Sequence, residues 1–204
     1  TDNAYTVAEL VAINAGTTGS ITLNTANVAL SGTVANIKLA FAGTITTHTG
    51  TLEISDAGTT DITATDITSI NTSNTGTITV TNAIDINGSG SEVKAAFDAI
   101  DTNTGNATAN ITGTDYTVAQ LKAINNKTTG AIVLATSTSE ALSGDATDLA
   151  DALAGTINYT GNVTVTDNAY TVAELVAINA GTTGSITLNT ANVALSGTVA
   201  NIKL

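Results

Sequence analysis

Residues 1–39 read TDNAYTVAELVAINAGTTGSITLNTANVALSGTVANIKL, and the same stretch returns without a change at 166–204, an offset of 165. Identity over that length implies tandem duplication, recent or kept uniform by recombination, or a repeat that was built. The chain is therefore expected to be an internal piece of a longer array, just over one period long. A finer repeat lies inside the period. Seven Thr-Gly pairs form one series, at 18–19, 49–50, 75–76, 104–105, 129–130, 160–161 and 183–184, with an eighth at 112–113 outside it. Their successive spacings are 31, 26, 29, 25, 31 and 23, so long and short coils alternate. Two such coils make one module, and three modules fill the period. The modules align in sequence: YTVAELVAIN at 5–14 matches YTVAQLKAIN at 116–125, and Leu30-Ser-Gly matches Leu142-Ser-Gly. Repeats of roughly 20–50 residues mark solenoids, propellers and arrays.

After each of the seven pairs in the series comes an alternating apolar segment. The apolar pairs are Ile21/Leu23, Leu52/Ile54, Ile78/Val80, Ala107/Ala109, Ile132/Leu134, Val163/Val165 and Ile186/Leu188. Alternation with β-branched residues predicts a short strand with one buried face. One strand per coil in the same phase predicts parallel stacking up a solenoid, since a single coil cannot bury its own apolar face. The segments 26–30 and 82–86 offer a second strand to the long coils. Helical patterns follow. Val7, Leu10 and Ile13 form one apolar stripe, and Val34, Ile37 and Phe41 another. Thr6-x-x-Glu9, Ser89-x-x-Glu92, Thr117-x-x-Gln120 and Thr171-x-x-Glu174 fit capping boxes, and Gly16, Gly43 and Gly155 fit helix stops. Helices of roughly 8–11 residues do not stand alone in water, so they must dock on the strands. The reading is an α/β repeat, a single continuous parallel solenoid over 1–204, with an all-β solenoid as the alternative.

Composition sets the function classes. The 204 residues include 43 Thr and no Cys, Pro, Met, Trp or Arg, with five Lys against 17 acids for a net charge of −12. Without Cys there is no disulfide framework and no thiolate chemistry. An acidic chain without Arg is repelled by phosphate backbones, so nucleic acid is not an expected partner. No apolar run reaches the roughly 18 residues of a membrane span. A hydrophobic fraction of 42% with 11% charged residues is too apolar for a disordered acidic tail. The absence of Pro suits coils that use every backbone N–H.

The motifs TVANIKLAF (33–41), EVKAAFDAI (92–100) and TDLADAL (147–153), each followed by a Thr-rich strand, resemble the repeat regions of very large bacterial surface or secreted proteins, adhesin-like arrays of cyanobacterial type. The resemblance implies an extracellular or cell-surface fibre, stalk, surface layer or adhesin. It carries over no catalytic residues and no cofactor.

Candidate chemistry is sparse. His48, the sole histidine, lies in the polar run 46–49 and reads as a solvated loop residue without a catalytic partner. Asp145, Asp148 and Asp151 are the Ca²⁺ candidates, spaced three apart on one helix face. Asp145 also fits an N-cap and Asp148 complements the helix dipole. Asp98 and Asp101, and Asp56, Asp61 and Asp66, form two further acidic groups. Outward Thr at 22, 79, 108, 164 and 187 suggests an ice-ordering row, interrupted by Glu53 and Val133. Glycosylation acceptor patterns at Asn71, Asn106, Asn110 and Asn162 follow from composition. No catalytic set is present, so the chain does not read as an enzyme. The expected role is structural, with a ligand surface for Ca²⁺, glycan or ice as the alternative. Expected partners are neighbouring repeats, with end-to-end or lateral self-assembly. Helices of long and short coils are expected at different places around the solenoid.

Overall fold

The computed structural model describes residues 3–134, 141–155 and 159–202. The fold is α/β with parallel strands. It divides into two units, Thr1–Ile86 with Ala95–Ala107, and Asn87–Lys94 with Thr108–Leu204. The first unit holds α1 (Val7–Gly16), β1 (Leu30–Gly32), α2 (Val34–Ala40), β2 (Leu52–Ile54), β3 (Asp61–Thr63), α3 (Ala64–Ser73) and β4 (Ile78–Val80). Next in the chain come β5 (Asp85–Gly88) and α4 (Gly90–Ala99), which contribute residues to both units, and β6 (Thr102–Asn103) in the first. The second unit holds β7 (Thr108–Ile111), α5 (Val118–Asn125), β8 (Ile132–Leu134), β9 (Leu142–Gly144), α6 (Ala146–Leu153), β10 (Val163–Val165), α7 (Val172–Gly181), β11 (Ile186–Leu188) and α8 (Val199–Ile202).

In the first unit β1, β2, β4 and β6 form one parallel sheet in that order. Leu30 sits opposite Leu52, and Leu52 opposite Ile78. Leu52, Ile54, Ile78 and Val80 are wholly buried, while Ser31, Glu53 and Thr79 share the outer face. In the second unit β9, β10 and β11 pair in parallel, with Leu142, Val163 and Ile186 in register, and β7 pairs with β8 through Ala109 and Ile132. Five of the alternating segments, at 52–54, 78–80, 132–134, 163–165 and 186–188, are strands as read from sequence. Around Ala107 and Ala109 the strand starts at Thr108; both alanines are fully buried, which supports the register. Ile21/Leu23 makes only an isolated bridge, Ile21 with Ile45. The second strands fall slightly later than expected, at Leu30–Gly32 and Asp85–Gly88.

The helices exclude the all-β alternative. Their starts follow the capping chemistry. Thr6, Thr117 and Thr171 accept from the N3 amide while Glu9, Gln120 and Glu174 return the bond. Ser89 and Glu92 exchange the same pair. Gly43 and Gly155 take positive φ, +77° and +82°, as helix stops. Gly16 departs from expectation: it is the last residue of α1 and has no left-handed φ. Helix placement also departs from expectation. α2 packs against both α1 and α3, and α6 against both α5 and α7, so within each unit helices of successive repeats are neighbours.

Candidate functional site

The polar side chains best placed for chemistry are bonded to the backbone of an adjacent repeat. Asp56 is buried and accepts the Val34 amide at 2.7 Å, at the start of α2 in the preceding coil. Asp167, which stands at the same place in its module, accepts the Ala146 amide at 3.1 Å at the start of α6. Each carboxylate satisfies an orphan N–H and meets the positive helix end from outside the helix. At the other ends, Asn14 Nδ2 donates to Leu39 O at 2.8 Å, and Asn125 Nδ2 to Asp151 O at 3.1 Å. Both amides lie beside the positive-φ glycines Gly43 and Gly155. Sequence reading missed these roles. The available signal was the recurrence of Asp and Asn at an offset of 111.

His48 is wholly buried, which corrects its reading as a solvated residue. Its Nε2 lies 2.7 Å from Val28 O and its Nδ1 2.8 Å from Asn74 Oδ1. Its ring centroid lies 5.6 Å from that of Phe41. Asn74 is fixed in turn: Oδ1 accepts the Gly76 amide and Nδ2 donates to Gly76 O. One module pair later, Tyr159 takes the place of His48 and is also buried, its hydroxyl accepting from the Leu142 amide and donating to Asn162 O, both at 3.1 Å. Corners nearby share one device. Thr17, Thr128 and Thr182 each accept the amide of the glycine two positions on, as Asn74 does. The buried histidine thus closes a corner and faces no cavity partner of a catalytic kind.

The Ca²⁺ candidates are engaged elsewhere. Asp145 caps α6 by accepting the Asp148 amide at 2.8 Å. Asp148 and Asp151 both hold Lys122 Nζ on α5, the latter at 2.9 Å. The two carboxylates hold the Lys122 ammonium well above its ordinary range. A parallel pair, Lys38 with Asp66, joins α2 to α3, and the Lys38 bond holds Asp66 below the usual carboxylate range. Among the described residues no three His, Asp or Glu converge as a metal site. A groove of about 570 Å³ beside α2 is lined by Val34, Lys38, Leu39, Ile62 and three carboxylates, Asp56, Asp61 and Asp66, of which Asp56 holds the Val34 amide and Asp66 holds Lys38. Asp98 and Asp101 part ways: Asp101 Oδ2 accepts the Ile78 amide at 2.8 Å, as a bond between repeats.

The outer strand positions do not form a threonine plane. In one sheet the row runs Ser31, Glu53, Thr79 and Thr102, and Glu53 Oε1 accepts Thr81 Oγ1 at 3.0 Å. In another it runs Ser143, Thr164 and Thr187, and between β7 and β8 Asn110 stands opposite Val133. Asn71, Asn106 and Asn162 are exposed, and the Asn162 amide oxygen accepts from Ser185.

The two identical copies have the same interior and opposite surroundings. Tyr5 donates its hydroxyl to Thr25 O and Tyr170 to Thr190 O. Gly32 packs on Val7 as Gly197 packs on Val172. Yet Leu30 and Val34 are 4% and 2% exposed, whereas Leu195 and Val199 are 43% and 71% exposed; conversely Ile13 is 50% exposed and Ile178 is 0%. Copy one is covered by 44–56: Ile21 N donates to Thr44 O at 2.8 Å, Leu30 N to Thr51 O at 2.9 Å, and Ser55 N to Gly32 O at 2.9 Å. Copy two is covered on its other side, where Val163 N donates to Ser185 O and Asn189 N to Val165 O, both at 2.9 Å. A cleft of about 190 Å³ on copy two is lined by Leu175, Asn179, Ile186 and Leu188. Their counterparts in copy one are Leu10, Asn14, Ile21 and Leu23, which meet the segment 39–46 through the Asn14, Ile21 and Leu23 bonds.

No protein-family profile, curated protein or solved structure matches the chain. No helix among the described residues is long and apolar enough to cross a membrane.

Proposed function

We propose that this chain is a structural segment, a parallel α/β solenoid that serves as a repetitive spacer or scaffold in an extracellular fibre, stalk, surface layer or adhesin, and that it is not an enzyme. The observation that carries the reading is where the reactive side chains are spent. Asp56, Asp167, Asn14 and Asn125 bond the backbone of a neighbouring repeat, and Asp148 and Asp151 hold a lysine on the preceding helix. The Asp56 and Asn14 bonds return at Asp167 and Asn125, two modules on, which is what stacking requires and what a ligand site does not. The likeness to bacterial surface arrays and the Cys-free acidic composition support the extracellular placement.

The test varies length. Six coils advancing one parallel-strand spacing each add roughly 29 Å per period. Chains of one, two and three periods, studied by small-angle X-ray scattering, should therefore lengthen by about that step per period. A maximum dimension that grows with the cube root of mass would overturn the solenoid. Immunogold imaging of intact cells tests the placement separately.

A further inference from the structure

We propose that His48 is an imidazolium in the folded chain and that the corner it closes is a pH-sensitive joint. The joint is complete while the ring carries both protons and one bond short once a proton leaves. The inference goes beyond the structural role proposed above and does not depend on its extracellular placement.

The two ring nitrogens carry the argument. Nδ1 lies 2.8 Å from Asn74 Oδ1 and Nε2 lies 2.7 Å from Val28 O. A carbonyl oxygen only accepts, so Val28 O requires an N–H on Nε2. The Asn74 amide is oriented independently of the ring: Oδ1 accepts the Gly76 amide at 3.2 Å while Nδ2 donates to Gly76 O at 2.9 Å. Turning that amide over would set oxygen against oxygen and N–H against N–H. Nδ1 therefore also meets an acceptor and requires its own N–H. A neutral imidazole has one N–H and serves one of the two oxygens, whereas the imidazolium serves both.

The surroundings suit the charge. His48 is wholly buried, and desolvation opposes an ion there. Three features offset it. Two helices end at the ring: Phe41 is the C-cap of α2, Asn74 is the C-cap of α3, and His48 N donates to Ser73 O at 3.1 Å. Helix C-termini carry the negative end of the dipole. The Phe41 ring centroid, at 5.6 Å, is within cation–π range. Both ring bonds become charge-assisted in the imidazolium. Ionisable side chains on the surrounding elements are few. Lys38 on α2 and Asp66 on α3 hold each other, Glu53 on β2 accepts Thr81 Oγ1, and the segment 17–29 that supplies Val28 has none. The ring bonds to none of them. The unfolded chain holds no such pair of acceptors in place. Folding is therefore linked to uptake of the second ring proton, and stability falls as pH rises through the range where imidazole releases it.

The aligned corner supplies a reference. There Tyr159 accepts the Leu142 amide and donates to Asn162 O, which a phenol does without ionising in the neutral range. Thr75 N donates to His48 O at 2.9 Å, and Thr183 N donates to Tyr159 O at 3.2 Å.

Because His48 is the sole histidine, long-range proton–nitrogen NMR of the intact chain reads it without assignment. At about pH 6.5, where a free imidazole is half protonated, the folded chain should show only the imidazolium pattern. A neutral tautomer with one bare ring nitrogen, or the half-and-half average of a free imidazole, overturns the proposal. Hydrogen exchange is the second readout. The ratio of Thr75 to Thr183 amide exchange rates cancels the intrinsic pH dependence. Between about pH 5 and about pH 9 it should rise about tenfold, as loss of one charge-assisted bond requires. A ratio constant to within about twofold overturns the joint. His48→Gln keeps an N–H donor and cannot ionise, so its ratio should stay level, and a rise equal to that of the unmodified chain counts against His48 as the source. Where that variant does not fold, the two measurements on the unmodified chain decide.

Discussion

Leu30 and Leu195 occupy the same place in identical stretches of sequence, so substituting each by alanine compares two packing environments with local propensity held constant. Leu30 is 4% exposed and Leu195 is 43% exposed. Leu→Ala removes three carbons, at about 0.8 kcal/mol per buried methylene. At Leu30 the transfer loss is about 2.4 kcal/mol, and the cavity left in a closed site raises it to about 3 kcal/mol. At Leu195 roughly half of that transfer loss applies and no closed cavity forms, so the cost is about 1 kcal/mol. Ile13 and Ile178 reverse the order, because the copy at the other position is the buried one. There Ile178→Ala should cost about 3 kcal/mol and Ile13→Ala about 1 kcal/mol. Urea unfolding followed by far-UV circular dichroism gives the four values from the midpoints at a common slope. The chains must be dilute enough to sediment as monomers, since any self-association that covers Leu195 would raise its cost. Effects equal to within about 0.5 kcal/mol in both pairs would refute the argument that neighbours, and not the repeat's own sequence, set its burial.

Three further outcomes follow from single sites. His48→Ala should destabilise by about 2–4 kcal/mol, because it opens space beside Phe41 and leaves Val28 O and Asn74 without their ring partner; a loss under about 0.5 kcal/mol in urea titration would show the corner to be solvated. Thr59 is a β-branched residue at φ +63°, so Thr59→Gly should stabilise by about 1 kcal/mol, read as a higher melting midpoint, and a lower midpoint would count against strain there. Asp66 is held below its ordinary value of 3.8 by Lys38, Glu92 below 4.5 by the Ser89 amide and hydroxyl, and Glu174 below 4.5 by Thr147 and Thr171. Depressed carboxylates stabilise fully above their unfolded values and lose that contribution as pH falls through the lower folded ones. Melting midpoints should therefore drop below about pH 4.5, and less steeply in a Glu92→Gln, Glu174→Gln chain whose amides keep the cap bonds without titrating; equal slopes would remove these groups from the account.

What could be read from the chain alone was local. The capping boxes at Thr6, Ser89, Thr117 and Thr171 involve residues three apart and appear as read. The strand alternation at 52–54 and 163–165 is likewise a property of three consecutive side chains. What failed was set by the next repeat. His48 reads as polar and exposed in its own run, and its burial comes from Val28 and Asn74, one coil before it and one coil after. Asp56 looks like one of an acidic group until the start of α2 is placed against it. Asp148 and Asp151 look like metal ligands until α5 brings Lys122 across from an earlier repeat. Gly16 carries the residue type of a helix stop, but Thr17 follows it in extended conformation and no left-handed turn is needed.

The crossed burial of the two copies also bears on heredity. Recombination between the identical stretches 1–39 and 166–204 would delete or insert one whole period and nothing else. Each junction so formed joins the contact seen on one side of copy one to the contact seen on the opposite side of copy two, and introduces no pairing that is new to the fold. Misaligned replication is commonly destructive for a folded domain, because it cuts through a core. Here it changes only the number of periods. A change in period number therefore leaves each repeat with neighbours of a kind already present in the fold, and needs no compensating repair of stability.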